Sequence, residues 1–212
     1  MGKLGLVPRM GRAVFLVLTV VIAVEFCAYR SFSQTPGDAG AFLSEFSKRA
    51  MAELNEPGLS EAEKQVRFRA LLNEGFDVEA IARFVLGRYW RSASDAERQE
   101  FVHIFEDSMV YRFLPLLGDY AGDVLQVQNV RPFGDEPGLF NVESELRRRD
   151  GPPIRITWRI YKSARGYRVL DVLAEGVSVA VTLRAEYGSV LQQHGGSVTA
   201  LTKVLREKIA GT

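Results

Sequence analysis

The spacing of the apolar residues changes twice along this chain, and this change constrains the fold more than any other feature. Up to Leu117 the apolar residues recur every three or four positions, as on one face of a helix. Between Val124 and Leu173 they alternate with polar residues, which is typical of strands with one buried face. Helical spacing returns at about Val179. Runs of helices kept apart from a run of strands favour an α+β fold.

Four antiparallel strands are predicted in the central region, at 124–130, 140–147, 154–161 and 167–173. The segment 148–153 contains glycine and proline and is expected to form a hairpin loop between the second and third strands. A curved sheet of this kind, wrapped by helices, can enclose a cone-shaped apolar cavity. Periodicity alone does not separate a filled core from a cavity lined by the same residue types, so both interpretations stay open at this point.

Three helix starts can be located from their capping residues. Ser60 with Glu63, and Ser94 with Glu97, have the spacing of a capping box, in which the two side chains satisfy free backbone N–H groups reciprocally. Asp77 is predicted to cap the helix that lies between them. The helix that begins at Ser94 is the longest of the predicted helices.

The first 33 residues are predicted to be a secretory signal peptide. Three basic residues and no acidic residue precede an apolar run at 13–24, which is shorter than the roughly 20 residues needed to span a bilayer. Small residues at Ser31 and Ser33 predict cleavage after Ser33. An uncleaved anchor at 13–24 is the alternative, because Glu25 is unusual directly after the apolar run of a signal peptide.

Removal of this leader changes the net charge and the cysteine content of the chain. Residues 34–40 are predicted to form a linker, and 41–212 the folded domain. Basic residues fall from 27 to 23 and acidic residues from 26 to 25, so the remaining chain is mildly acidic and contains no cysteine. An exported domain without disulfides must be stabilised by a packed core. The near-neutral charge argues against a nucleic-acid-binding protein.

No catalytic residue, metal site or cofactor is predicted from the motifs. The segment 176–180 has glycine, serine and alanine where a nucleophile elbow has them, but no parallel sheet accompanies it, and Ser178 is better explained as a helix cap. His103 is expected to be solvated rather than a catalytic base. The three arginines at 147–149 have the donors to bind a phosphate, but a solvated hairpin end is the favoured interpretation.

Three segments carry a resemblance to a known family: FVLGRYWRSAS at 84–94, LDVLAEGVSV at 170–179 and RAEY at 184–187. They resemble the MlaC family of periplasmic phospholipid-binding proteins, also called toluene-tolerance proteins. The likeness covers essentially all of residues 40–210, in order. The related hopanoid-associated proteins called HpnM share these motifs, so a hopanoid-binding protein is the alternative within the same family.

The resemblance implies a nuclear-transport-factor-like α+β fold with extra helices and a deep apolar pocket. It also implies a periplasmic, monomeric carrier that maintains outer-membrane lipid asymmetry. Such a carrier moves phospholipid between an outer-membrane lipoprotein complex and an inner-membrane ABC transporter with an MCE-domain subunit, and has no catalytic residue. Pro115 departs from the family pattern and is expected to kink or shorten its helix, which would reshape one wall of the pocket. The residues predicted to line the pocket are Tyr89, Phe105, Met109, Trp158, Leu170, Val172 and Val177.

Two other classes of function are kept as alternatives. An enzyme that uses the same conical cavity would need an acid or a base inside it, and the apolar stripes supply none. An interaction protein anchored by residues 13–24 would retain its leader.

Overall fold

The computed structural model describes residues 36–119, 124–148 and 151–211. The predicted signal peptide, its cleavage site and the alternative anchor at 13–24 lie outside the described residues. Within the described part of the chain, no helix is long and apolar enough to cross a membrane.

Seven helices and five strands are formed by these residues. The helices are α1 (Pro36–Leu54), α2 (Glu61–Gly75), α3 (Val78–Leu86), α4 (Tyr89–Ser92), α5 (Asp95–Asp119), α6 (Val179–Gln193) and α7 (Val198–Ala210). The strands are β1 (Val124–Pro132), β2 (Leu139–Arg147), β3 (Ile154–Ser163), β4 (Gly166–Ala174) and β5 (Val177–Ser178). The predicted α+β fold is confirmed.

Helix α1 begins earlier than the sequence predicts. Residues 36–40 belong to the predicted linker, but they are helical, so the prediction is wrong for them. Proline is well tolerated in the first turn of a helix, where its missing N–H group would have no helical acceptor. Ala39 is fully buried, and a Cβ atom added to Gly40 would lie 2.9 Å from Val130 Cγ2 of β1. The first turn of α1 therefore packs directly on the sheet.

The sheet is an antiparallel meander in which the strands lie in the order β1-β2-β3-β4-β5. The four predicted strands are all present. The fifth, Val177–Ser178, is only two residues long and pairs with the end of β4, which is too short for an alternating pattern to reveal. Each strand pairs with the next along the chain, so every connection is local.

A bulge in β4 changes which of its side chains face the core. Val169 lies opposite Ile160, and Val172 lies opposite Trp158, so Leu170 is an extra residue in this strand. As a result, Val169 and Val172 lie on the same face although they are three positions apart. A strict alternation along β4 does not predict this arrangement.

The apolar residues of the described chain pack into three clusters. We call the first the sheet core; its buried members are Ala39, Leu43, Phe140, Val142, Ile160, Tyr167 and Val169. We call the second the helical core; its largest fully buried side chains are Val85, Leu86, Phe101, Phe105, Leu183, Leu191 and Leu201. The third joins α1, α2 and α5 and consists of Phe46, Leu54, Leu71, Val110 and Leu114. Phe76 packs against all three clusters.

The predicted helix caps are confirmed. Ser60 Oγ accepts a hydrogen bond from the Glu63 N–H group at 3.3 Å, and the Ser60 N–H group donates to Glu63 Oε2 at 2.9 Å. The box at Ser94 and Glu97 has the same two bonds. Asp77 Oδ1 accepts from a backbone N–H group in the first turn of α3 at 3.0 Å. These local signals locate three helix starts correctly.

Pro115 does not shorten α5, which continues to Asp119. Proline removes one helical hydrogen bond and crowds the preceding turn. Leu114 and Val110 lie just before it and are buried in the third cluster against α1 and α2. We attribute the continuation of the helix to this packing, which offsets the local cost of the proline.

Candidate functional site

The apolar face of the sheet is buried at one end and half-buried at the other. At the buried end, Phe140, Ile160 and Val169 lie side by side on three strands and are at most 4 % exposed. Further along the same face, Ile156 and Leu146 are only half-buried. We call the half-buried part the apolar sheet end; it comprises Leu125, Val127, Leu146, Ile154, Ile156, Trp158 and Val172.

This gradient of burial follows from where α1 docks. The helix packs on β1 and β2, and its buried residues Ala39 and Leu43 belong to the same cluster as the buried end of the sheet. Trp158 and Val172 lie at the margin of that cluster and are partly buried against it. The apolar sheet end is therefore a continuation of the core that other protein groups cover incompletely.

The polar side-chain atoms at the apolar sheet end form hydrogen bonds within the protein. Trp158 Nε1 donates a hydrogen bond to Ser144 Oγ at 2.9 Å. Ser144 Oγ in turn donates to the backbone oxygen of Ile156 at 3.2 Å, and Ser144 is 3 % exposed. The indole N–H and the hydroxyl therefore satisfy each other, and the surface offered by these side chains is hydrocarbon and aromatic ring. Such a surface suits an apolar ligand and supplies no acid or base.

The opposite face of the sheet is polar and crossed by ion pairs. Glu143 on β2 pairs with Arg131 on β1, and Arg159 Nη1 on β3 lies 3.1 Å from Asp171 Oδ2 on β4. Asp171 is 7 % exposed because the first turn of α6 covers it. The two faces of the sheet thus differ sharply in chemistry, and only one suits a hydrocarbon chain.

The predicted pocket residues fall into two groups in the structure. Trp158 and Val172 lie opposite each other on β3 and β4. Phe105 and Met109 are 1 % and 6 % exposed inside the helical core, and Tyr89 packs against that core.

The remaining two predicted residues lie apart from both groups. Leu170 is the half-buried bulge residue of β4, and Val177 is 64 % exposed on β5. The seven residues therefore do not line one common cavity in this conformation, and their contact with a ligand stays a prediction.

The predicted set does not contain several residues that share the surface of Trp158. The alternation along β2 and β3 places Leu146, Ile154 and Ile156 on the apolar face, so a signal for them is present in the sequence. Which end of that face is less covered depends on where α1 docks. No local pattern in the sequence contains that information.

Two surface clefts among the described residues contain none of the predicted pocket residues. One has a volume of about 130 Å³ and lies among Leu54, Leu114 and Leu117. This is smaller than the roughly 300–1,000 Å³ that is usual for ligand pockets. The other, of about 340 Å³, is lined by arginine and aromatic side chains of α3, α4 and α6.

Ser178 is a structural residue, as the capping interpretation predicts. Its Oγ accepts from the Val181 N–H group at 3.0 Å and donates to Asp171 Oδ2 at 2.6 Å. His194 follows the last residue of α6, 16 residues after Ser178, which at 1.5 Å per residue is about 24 Å away. His103 is solvated, with 74 % of its side chain exposed. Ser178 and His194 are thus too far apart to form a nucleophile–base pair.

Within residues 36–119, 124–148 and 151–211, no group of three or more His, Cys, Asp or Glu residues is arranged to hold a metal ion. Burial raises the pKa of Tyr187 above its usual value, and its hydroxyl lies 3.1 Å from Ser108 Oγ within the helical core. This shifted group is enclosed by protein and does not face the apolar sheet end.

Comparison with known proteins supports the resemblance noted in the sequence. The family model described as MlaC protein matches residues 44–207. The chain is 24% identical over 131 residues to the intermembrane phospholipid transport system binding protein MlaC of Haemophilus influenzae. That alignment spans 60% of this chain and 60% of the relative.

A solved structure is similar over most of the chain. It is the phospholipid-binding protein of Ralstonia solanacearum in complex with a phospholipid, with a TM-score of 0.72 and 20% sequence identity. The match covers 82% of this chain and 98% of that chain. At this identity the likeness establishes the fold, whereas the family match spans well over half of the sequence. The chain belongs to the MlaC family.

Proposed function

We propose that this protein is a phospholipid carrier that holds acyl chains against the apolar sheet end. The proposal rests on the gradient of burial along one face of the sheet. Trp158 and Ile156 continue the sheet core but are only half-buried, and the polar group between them, Ser144, is fully hydrogen-bonded. Family membership and the phospholipid named for both relatives support the same ligand class.

The energetics of such a surface favour an acyl chain. Burial of one methylene group is worth about 0.8 kcal/mol. A chain of about sixteen carbons therefore gains on the order of 10 kcal/mol before the cost of ordering it. No charged group has to be desolvated on the protein side, because the side chains that make up the apolar sheet end are all apolar or aromatic.

Neither of the two clefts described above contains a residue of the apolar sheet end, so they do not provide space for a lipid there. We infer that acyl chains enter between this surface and the neighbouring helices and extend the sheet core. Phe76 is well placed to accommodate such a change, because it packs against all three clusters. The head group stays in solvent in this arrangement, and no catalytic residue takes part.

We further propose that the carrier works in the periplasm after removal of residues 1–33. There it exchanges phospholipid with an outer-membrane lipoprotein complex and with an inner-membrane ABC transporter that has an MCE-domain subunit. Membership of the MlaC family supports this route. A hopanoid is the alternative cargo, since its fused apolar rings would also match a surface without charges. N-terminal sequencing of the exported protein tests the removal of the leader.

Native mass spectrometry of the protein purified from its own cells tests the ligand. The expected result is a complex with added mass equal to a phospholipid, together with uptake of labelled phospholipid from vesicles. A hopanoid mass in its place would assign the alternative cargo. Protein without bound lipid that also takes up none from vesicles would contradict lipid carriage altogether.

A further inference from the structure

The cleft between α3, α4 and α6 has a chemistry unlike that of the apolar sheet end. Its volume is about 340 Å³ and it is open to solvent on one side. Its lining residues come from three helices and the loop between two of them: Ala80, Arg83, Phe84, Gly87, Trp90, Arg91 and Arg184. It shares no residue with the apolar sheet end, so an inference about it does not rest on lipid carriage there.

The arginines of this cleft differ from the other helical arginines in having no carboxylate partner. Those that pair with Asp or Glu are Arg49, Arg67, Arg69, Arg98, Arg112 and Arg206. The helical arginines without such a partner within 4.0 Å, in the described part of the chain, are Arg83, Arg91 and Arg184. All three line the same cleft, so three guanidinium groups without an ion pair lie close together there.

One of the three guanidinium groups is held in place by the fold. Arg184 Nη1 donates to the backbone oxygen of Phe84 at 3.1 Å. The guanidinium carbon lies 4.9 Å from the centre of the Phe84 ring. Gly87 has a φ of +57°, and a Cβ atom there would lie 2.8 Å from Arg184 Nη2. Glycine at this position therefore leaves the space that the guanidinium group occupies.

The charge and donor geometry of the cleft select a class of ligand. Guanidinium groups present parallel N–H donors that match two oxygens of a carboxylate or a phosphate. Three guanidinium groups carry more positive charge than the single negative charge of one carboxylate balances. A phosphomonoester is a closer match, because it carries a charge of about −1.5 to −2 at neutral pH. The volume is within the usual range for a small-ligand site, and the open side leaves room for the rest of the ester.

We propose that this cleft is an oxyanion site that binds a phosphomonoester through Arg83, Arg91 and Arg184. The ester reaches the cleft either as a soluble molecule or as the head group of an anionic lipid at a membrane surface. The recognised chemistry is the same in both cases.

Isothermal titration calorimetry with glycerol phosphate tests the site in solution. Binding to the unaltered protein is expected to weaken as ionic strength rises, because Arg83, Arg91 and Arg184 are all exposed to solvent. Arg83→Gln and Arg91→Gln are each expected to weaken it by about tenfold, since each removes a charged donor. Arg165→Gln is the matched control, because Arg165 is exposed and lies between β3 and β4, outside the cleft. It is expected to leave the affinity unchanged.

Arg184→Gln is expected to have the largest effect on affinity, but it also removes a hydrogen bond to the end of α3. Its melting temperature must therefore be measured alongside the titration. If this variant does not fold, the affinities of Arg83→Gln and Arg91→Gln for glycerol phosphate are sufficient to test the proposed site.

Sedimentation with vesicles distinguishes the source of the ester. Vesicles of phosphatidylcholine are compared with vesicles that also contain phosphatidic acid, whose head group is a phosphomonoester. Arginine-dependent binding to the second kind only assigns a lipid head group, and binding of glycerol phosphate alone assigns a soluble ester. Absence of binding in both arms overturns the proposal, and so does binding that is equally strong in Arg83→Gln, Arg91→Gln and Arg165→Gln.

Discussion

The helical core and the apolar sheet end contain similar apolar and aromatic side chains but differ in how completely the protein buries them. In the helical core, the rings of Phe101 and Phe105 lie 5.8 Å apart, and each meets the Tyr187 ring edge-to-face at 6.3 Å. At the apolar sheet end, Trp158 and Ile156 are half-buried and retain free apolar surface. The apolar surface of the helical core is buried in contacts within the protein. The apolar sheet end retains exposed apolar surface that a ligand can contact.

An apolar stripe in a sequence can therefore indicate either a filled core or a surface that is left available to a ligand. Phe105 and Met109 recur at helical spacing and Trp158 and Ile156 at strand spacing, so both pairs satisfy the same rule for a core. Only the structure shows that the first pair is enclosed by protein and the second pair is not. The following four substitutions test whether the two regions act as differently as their burial indicates.

The largest effect is expected from Phe105→Ala in the helical core. Removal of a fully buried phenylalanine leaves a cavity and is expected to lower the free energy of unfolding by about 3–5 kcal/mol. Denaturant unfolding followed by circular dichroism measures this loss. Molecules that remain folded are expected to bind lipid normally. A variant with nearly unchanged stability that has lost its lipid would place Phe105 in the pocket.

A second large effect is expected from Trp158→Glu, measured as lipid bound per protein by mass spectrometry. A carboxylate at the apolar sheet end has to be desolvated among acyl chains, so the bound lipid is expected to be lost. Trp158→Phe keeps an aromatic ring there and is expected to retain lipid. Val66→Glu is the matched control, because Val66 is 69 % exposed on α2. Wild-type lipid content in Trp158→Glu would remove Trp158 from the site.

A smaller effect is expected from Ser144→Ala, which takes away the acceptor of the Trp158 indole N–H group. Loss of a typical hydrogen bond costs about 0.5–1.5 kcal/mol, so the free energy of unfolding is expected to fall by that amount. Lipid content is expected to stay the same, because the apolar surface is retained. Thermal and denaturant unfolding measure the first quantity and mass spectrometry the second. Loss of lipid without loss of stability would show that the hydroxyl contacts the ligand.

The smallest effect is expected from Tyr187→Phe at high pH. Burial raises the pKa of Tyr187, so the folded protein holds this proton more tightly than the unfolded chain. The resulting stability is complete below the ordinary tyrosine pKa of about 10 and is lost as the pH rises through the raised value. Tyr161 and Tyr167 also have raised pKa values.

Unfolding of wild type and Tyr187→Phe at several values from about pH 9 to about pH 11 measures this contribution. The variant is expected to lose stability less steeply than wild type over this range. Identical slopes would show that Tyr187 is not the buried group that titrates.

The parts of the fold that follow from local chemistry could be predicted from the sequence. Ser60, Asp77 and Ser94 locate helix starts because a side-chain cap depends only on residues within one turn. The four long strands follow from apolar–polar alternation over seven or eight residues. The α+β order follows from these two signals together.

The parts that depend on distant contacts could not be predicted. Pro36 and Gly40 resemble linker residues, yet they are helical because the first turn of α1 packs on β1. The bulge at Leu170 moves Val172 onto the face of Trp158, and this shift depends on pairing with β3. For the same reason, the sequence predicts pocket residues from both the helical core and the sheet. Separating the two groups requires knowing where α1 docks.

The two tryptophans of the chain allow the central claim to be tested in one measurement. Trp158 lies at the apolar sheet end, whereas Trp90 packs against the helical core with the Arg98 guanidinium 5.8 Å from its ring. The variants Trp90→Phe and Trp158→Phe each retain one of them. Both are loaded with a phospholipid brominated along its acyl chains, which quenches indole fluorescence at short range. We expect strong quenching of Trp158 and little quenching of Trp90, and the reverse pattern would contradict binding of acyl chains at the apolar sheet end.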